Sequence, residues 1–194
     1  MSTMTIAKSE LVLGGQKSGK SRRAELLAQQ WLGQSSSHHA VFIATARPWD
    51  EEMRERIRRH QQDRAERVPG MATVEEPVQL AQALARHSAA DTLVVVDCLT
   101  LWLTNLLMPA PGLELKDPAQ AAREQAGLLV NAITSAPGPL VLVGNEIGLG
   151  VIPLGRETRA FVDALGKLNQ DVAAACRRVT LMAAGLPLTL KDFS

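Results

Sequence analysis

The sequence predicts an α/β protein with a mostly parallel central sheet, a single domain over residues 1–194. Two features carry the prediction. Short apolar runs alternate with helix-patterned segments along the chain, the order that gives parallel strands joined by crossover helices. The run at 92–97 (TLVVVD) is apolar along its length rather than at alternate positions, as expected of a strand covered on both faces.

Residues 10–14 (ELVLG) form a first strand, preceded by a flexible stretch over 1–9, and residues 20–32 a first helix. GQSSSHH is a loop. Residues 40–45 (AVFIAT) make a second strand, 50–67 a charged helix, 78–87 a short helix and 92–97 a third strand. Residues 68–77 read as a connection. Residues 99–107 (LTLWLTNLL) are helical, and the Pro/Gly-rich segment 109–118 is a mobile loop. Ala122, Ala126, Leu129, Val130 and Ile133 share one helical face over 118–136. Residues 139–146 (PLVLVGNE) form a strand ending in a carboxylate. Phe161, Leu165, Leu168, Val172 and Cys176 stripe a helix over 155–178, and 179–185 and 186–191 are closing strands.

Composition narrows the class. Hydrophobic residues are 46% and charged residues 21% of the chain, ordinary for a protein with a real core. A net charge of +1 gives no electrostatic case for nucleic acid or an anionic membrane. Cys98 and Cys176 are the two cysteines, far apart and in no metal-like spacing, and they read as thiols of a reducing compartment. No apolar run reaches the roughly 18 residues of a membrane helix, and no secretory signal is evident. The expectation is a soluble, cytoplasmic protein without a membrane span.

The chemistry starts at Gly14-Gly15-Gln16-Lys17-Ser18-Gly19-Lys20-Ser21, a complete Gly-x-x-x-x-Gly-Lys-Ser/Thr match between a strand and a helix. Glycines let the backbone wrap closely and turn N–H groups inward. The helix N-terminus adds a positive end for phosphate. Lys20 reaches the β- and γ-phosphates, and the Ser21 hydroxyl can ligate Mg²⁺. Asp97, at the end of an apolar strand, is the natural second carboxylate; its alternative role is to cap the next helix. Glu146 is the runner-up. In the charged helix, Met53, Ile57, His60 and Arg64 lie on one face. A histidine there is more often packing than catalysis.

Four segments together shift that balance: LVLGGQKSGKSRRAE, FIATARPWDEEMRERIRRHQQDR, VVVDCLTLWLTNLL and LVGNEIGLGVIPLGRETRAFVDALGKLNQDVAAA. In this order, from about residue 10 to 191, they resemble the bifunctional adenosylcobinamide kinase / adenosylcobinamide-phosphate guanylyltransferase family of cobalamin biosynthesis. The resemblance implies a P-loop, RecA-like three-layer fold and a homotrimer. It also implies two reactions at one nucleotide site. ATP or GTP phosphorylates the corrinoid, and GTP then guanylylates the product through a GMP–histidine intermediate. Matched residue by residue, it puts the nucleotide loop on Gly14 to Ser21 and further nucleotide contacts on Ala44, Thr45, Ala46, Gln61, Gln62, Asp63 and Arg64. The guanylylated histidine falls on His60, and the acidic ligands on Glu75 and Asp97.

The chemistry agrees with that assignment. Histidine attacks phosphorus as neutral imidazole, a form abundant near neutral pH for the free side chain. Covalent capture splits one displacement into two easier ones. Arginines one turn away, Arg56 and Arg64, would stabilise charge building on the transferred group. The corrinoid is a substrate, since the chain offers no cobalt-ligating motif. Many relatives carry Arg-Pro and a tryptophan shortly after the histidine. This chain reads DRAERVPGMATVEEP there, which leaves Glu76 as an alternative to Glu75. Arg156, Arg159, Asn169 and Gln170 fit either a corrinoid or subunit contact or a solvated helix flank. The competing functions are a small-molecule kinase with a structural His60, a GTPase switch and a DNA-dependent ATPase. The switch lacks Asp-x-x-Gly and Asn-Lys-x-Asp motifs, and the ATPase lacks a basic groove.

Overall fold

A computed structural model describes residues 5–109 and 116–193. Seven strands form one sheet: β1 (Ser9–Gly14), β2 (His39–Ala44), β3 (Ala72–Glu75), β4 (Thr92–Asp97), β5 (Leu140–Val143), β6 (Arg178–Ala183) and β7 (Leu186–Asp192). Their order is β3-β2-β4-β5-β1-β6-β7. All neighbours pair parallel except β6 and β7, which form an antiparallel hairpin. The helices are α1 (Lys20–Gln34), α2 (Glu51–Arg67), α3 (Leu80–His87), α4 (Leu99–Leu107), α5 (Pro118–Ser135) and α6 (Arg156–Ala175).

Side-chain alternation sorts the layers. Leu11, Leu13, Val94, Val96, Leu140 and Leu142 face one side and pack with α3, α4, α5 and α6. Val12, Leu93, Val95, Val141 and Val143 face the other and pack with Ala24, Leu27 and Ala28 of α1. The middle of β1 (Leu11 to Leu13), the middle of β4 (Leu93 to Val96) and all of β5 are therefore apolar at successive positions, because helices cover both faces. Trp102 of α4 is fully buried, and its indole N–H donates to the Val78 carbonyl at 2.8 Å. That bond ties α4 to the segment between β3 and α3.

The structure departs from the sequence reading in four places. Residues 68–77 contain β3, an edge strand of four residues with no fully buried side chain. Ser9 already belongs to β1 and Ala7 is buried, so the ordered fold begins inside the stretch expected to be flexible; residues 1–4 lie outside the described residues. Most of the loop expected over 109–118 also lies outside them, and Pro118 already opens α5. The strand expected over 139–146 ends at Val143. Beyond it, the Gly144 and Glu146 N–H groups still donate to Val12 and Gly14 of β1. Asn145 leaves the ladder and donates to Thr100 Oγ1.

Candidate active site

In parallel α/β sheets ligands collect at the carboxyl ends of the strands, and the conspicuous residues gather there. The Gly14–Ser21 loop leaves β1 at that edge. A β-carbon at Gly14 would come within 2.5 Å of both the Met182 carbonyl and Ser18 Oγ. Gly19 has φ of 100°, a left-handed value that favours glycine, and is the N-cap of α1 without a side-chain cap. The first turn of α1 contains no acidic residue and opens on Lys20, so its N–H groups and dipole are left for an anion. Lys20 is buried, and its Nζ donates to the Gly15 carbonyl at 2.6 Å, inside the mouth of the loop. Burial pushes its pKa down against the opposing pull of Asp97. Ser18 Oγ is buried without a partner among the described residues, a hydroxyl that a phosphate oxygen would satisfy. Gln16 and Lys17 are exposed at the loop tip.

Ser21 Oγ donates to Asp97 Oδ2 at 2.6 Å, so the loop joins the end of β4. The helix cap considered for this aspartate falls to its neighbour: Cys98 Sγ accepts from the Leu101 N–H. Burial raises the Asp97 pKa. The Ser21 hydrogen bond and then the charges of His60, Lys20 and Arg64 work against that rise. One carboxylate thus lies within electrostatic reach of the loop lysine and of the α2 histidine.

The sheet register lays out the rest. Glu75, Ala44, Asp97, Val143 and Val12 sit side by side across β3, β2, β4, β5 and β1. At about 4.8 Å per strand, Glu75 lies roughly 10 Å from Asp97 along this edge. Glu75 lines an open cleft with Ala44, Ala46, Ile57, Arg54 and Gln61, and Gln61 Nε2 points to its carboxylate at 3.4 Å. Glu76 is occupied otherwise, accepting from the Val78 and Gln79 N–H groups at the start of α3. Of the two adjacent glutamates, Glu75 faces the cleft.

Three of the residues expected to contact nucleotide also have protein partners. Thr45 is fully buried, and its hydroxyl both donates to the Cys98 carbonyl and accepts from the Cys98 N–H, at 2.8 Å each. Arg64 is buried, with its guanidinium 3.7 Å from the centre of the Phe42 ring and a 3.3 Å bond to Thr73. Asp63 pairs with Arg67 at 3.3 Å. His60 and Gln62 are exposed on α2.

Sequence reasoning missed Asn105, whose side-chain amide donates to the carbonyls of Thr45 and Pro77. A lone asparagine in the apolar helix LTLWLTNLL was the available signal. Asn169 proves to be buried rather than on a solvated flank, donating to the Asn145 carbonyl. Arg159 donates to the carbonyls of Pro153 and Leu154, while Arg156 and Gln170 are exposed.

Comparison with known proteins gives the family. Residues 10–190 match the family model of cobinamide kinase / cobinamide phosphate guanyltransferase. The bifunctional adenosylcobalamin biosynthesis protein CobP of Pseudomonas aeruginosa is 45% identical, over 94% of this chain and 96% of the relative. The CobU proteins of Escherichia coli and Salmonella typhimurium are 36% and 35% identical, over 93% of this chain and 98% of each relative. Among solved structures, a KaiC-like protein of Pyrococcus horikoshii superposes with a TM-score of 0.50 at 14% identity, covering 90% of this chain and 71% of that one; that likeness shows the fold alone. The strand-end loop, the β4 aspartate and the whole-length matches place the chain in one group: it belongs to the cobinamide kinase / cobinamide phosphate guanyltransferase family.

Proposed function

We propose that the chain phosphorylates the aminopropanol hydroxyl of adenosylcobinamide with ATP or GTP, then transfers GMP from GTP to the product through His60. One observation carries the reading: His60 and Lys20 both act on the carboxylate of Asp97, which Ser21 binds. This supports one shared site for the α2 histidine and the phosphate loop. The loop N–H groups and Lys20 hold the triphosphate. The exposed imidazole of His60 attacks the α-phosphorus; an N–P bond forms as the bond to pyrophosphate breaks. A phosphate oxygen of adenosylcobinamide phosphate then displaces His60 to give adenosylcobinamide-GDP.

Ser21 and Asp97 fit Mg²⁺, an ion that takes one or two protein oxygens and fills its shell with phosphate and water. Among the described residues no three His, Cys, Asp or Glu side chains gather in one place. When bound, Mg²⁺ neutralises charge on the phosphates. Among the described residues no helix is long and apolar enough to cross a membrane. Use of nucleoside triphosphates fits a cytoplasmic enzyme, and the family fits a homotrimer.

The test is GTP labelled at the α-phosphorus, incubated with wild type and His60→Ala in Mg²⁺ buffer and run on a denaturing gel. Wild type is expected to carry label that survives base and is lost in acid, as a phosphoramidate does, and His60→Ala none. Unlabelled wild type that still binds GTP would leave a small-molecule kinase.

A further inference from the structure

We infer that Glu146 is the general base of the kinase step. The inference rests on the proposed function and assigns a residue for its first reaction. Phosphorylating an alcohol forms an O–P bond while the hydroxyl proton must leave, so a carboxylate beside the γ-phosphate is called for. The sheet order narrows the choice among carboxylates at the ends of the parallel strands. Strand β5 lies between β4, which ends in Asp97, and β1, which opens into the phosphate loop. The segment Gly144-Asn145-Glu146, directly after β5, therefore emerges between the two halves of the phosphate site.

The segment is fixed from several sides. Gly144 N–H donates to Val12, Asn145 N–H to Thr100 Oγ1, and Glu146 N–H to Gly14, the first glycine of the loop, at 3.1 Å. Asn169 of α6 donates to the Asn145 carbonyl at 3.1 Å. Glu146 is half-buried, and its Oε1 accepts from the Gly148 N–H at 2.7 Å. That bond orients the group and leaves Oε2 to accept a proton. The other strand-end carboxylates are engaged elsewhere. Asp97 accepts from Ser21, Glu76 starts α3, and Glu75 lies two strands beyond Asp97 on the far side from β5. In the step, the substrate oxygen attacks the γ-phosphorus, its proton passes to Glu146, and the bond to the β-phosphate oxygen breaks to release the nucleoside diphosphate. Guanylyl transfer runs through His60 and needs no such base.

The two reactions can be measured separately on Glu146→Gln, which keeps the acceptor for Gly148. Phosphorylation is assayed with adenosylcobinamide and ATP. Guanylyl transfer is assayed from adenosylcobinamide phosphate and α-labelled GTP, which also reports that the variant is folded. The expected result is a kinase kcat lowered by about 10²-fold or more, little change in KM for adenosylcobinamide, and a wild-type His60 adduct and transfer rate. Glu146→Asp is expected to recover part of the kinase rate. A kinase kcat near wild type in Glu146→Gln would overturn the assignment. An equal loss of both reactions would also overturn it, marking Glu146 as support for the loop. Wild type that forms the His60 adduct but never phosphorylates adenosylcobinamide would overturn the kinase half of the proposed function, and this base with it.

Discussion

Asp97 shows how a site residue can oppose the stability of the fold that carries it. Burial lifts its pKa above the ordinary 3.8 despite the Ser21 hydrogen bond and the opposing influence of His60, Lys20 and Arg64. Between 3.8 and the raised value the folded chain holds more protons than the unfolded chain, so stability falls as pH rises through that window. Above that window the ionised carboxylate is a net cost, offset when a nucleotide–metal complex binds. Asp97→Asn keeps an acceptor for Ser21 and removes the charge. In nucleotide-free protein with chelator, its Tm is expected to exceed that of wild type near pH 7 by a few degrees, since about 1 kcal/mol corresponds to about 2–4 °C at this size. The difference should widen as the pH is raised from about 4, the ordinary carboxylate value, while kinase and guanylyl transfer fall by at least about 10²-fold. Thermal melts at several pH values decide it: an Asn variant no more stable than wild type at neutral pH refutes the account.

Helix α2 carries His60, the proposed acceptor of GMP, and it is lightly held. Of its described side chains only Arg64 is buried, and it is fastened by that guanidinium over Phe42 and by Arg67 to Glu25 at 3.1 Å. Helix α4, by contrast, buries Leu99, Thr100, Trp102, Leu103, Asn105 and Leu106. Amides of α2 are therefore expected to exchange with deuterium about 100-fold faster than those of α4, through local opening. GTP should slow them once His60 is guanylylated. Equal protection in the two helices, read by mass spectrometry, would show that α2 is held rigidly by contacts other than these.

The same contrast decides what could be read from the chain. The 92–97 strand and the 99–107 helix were legible to the residue, because their own apolar patterns match what they bury. The Gly14–Ser21 loop was legible because phosphate binding dictates its composition locally. Strand β3 was not: Ala72–Glu75 is short, exposed and defined by its pairing with β2. Nor was the work of Thr45, Asn105 and Asn169, whose partners are backbone carbonyls or N–H groups far along the chain. A hydrogen bond across 24 to 60 residues leaves no local period to find.

At the scale of the whole molecule, the unexplained feature is apolar surface. Leu149, Val151, Ile152 and Leu154 are 76–97% exposed on the segment after β5. Leu186, Leu188 and Leu190 line one side of the edge strand β7, with Phe193 just beyond it, all more than half exposed. Alternate leucines on an unpaired sheet edge invite association, and monomers seldom expose apolar patches of this extent. A trimer would cover part of this surface, and the proposed homotrimer requires it to. Light scattering on purified protein is expected to give three times the 20.9 kDa chain mass. Because burial between copies adds to stability by mass action, Tm should fall on dilution. A 20.9 kDa species with a Tm independent of concentration would refute the trimer and leave these leucines to another partner.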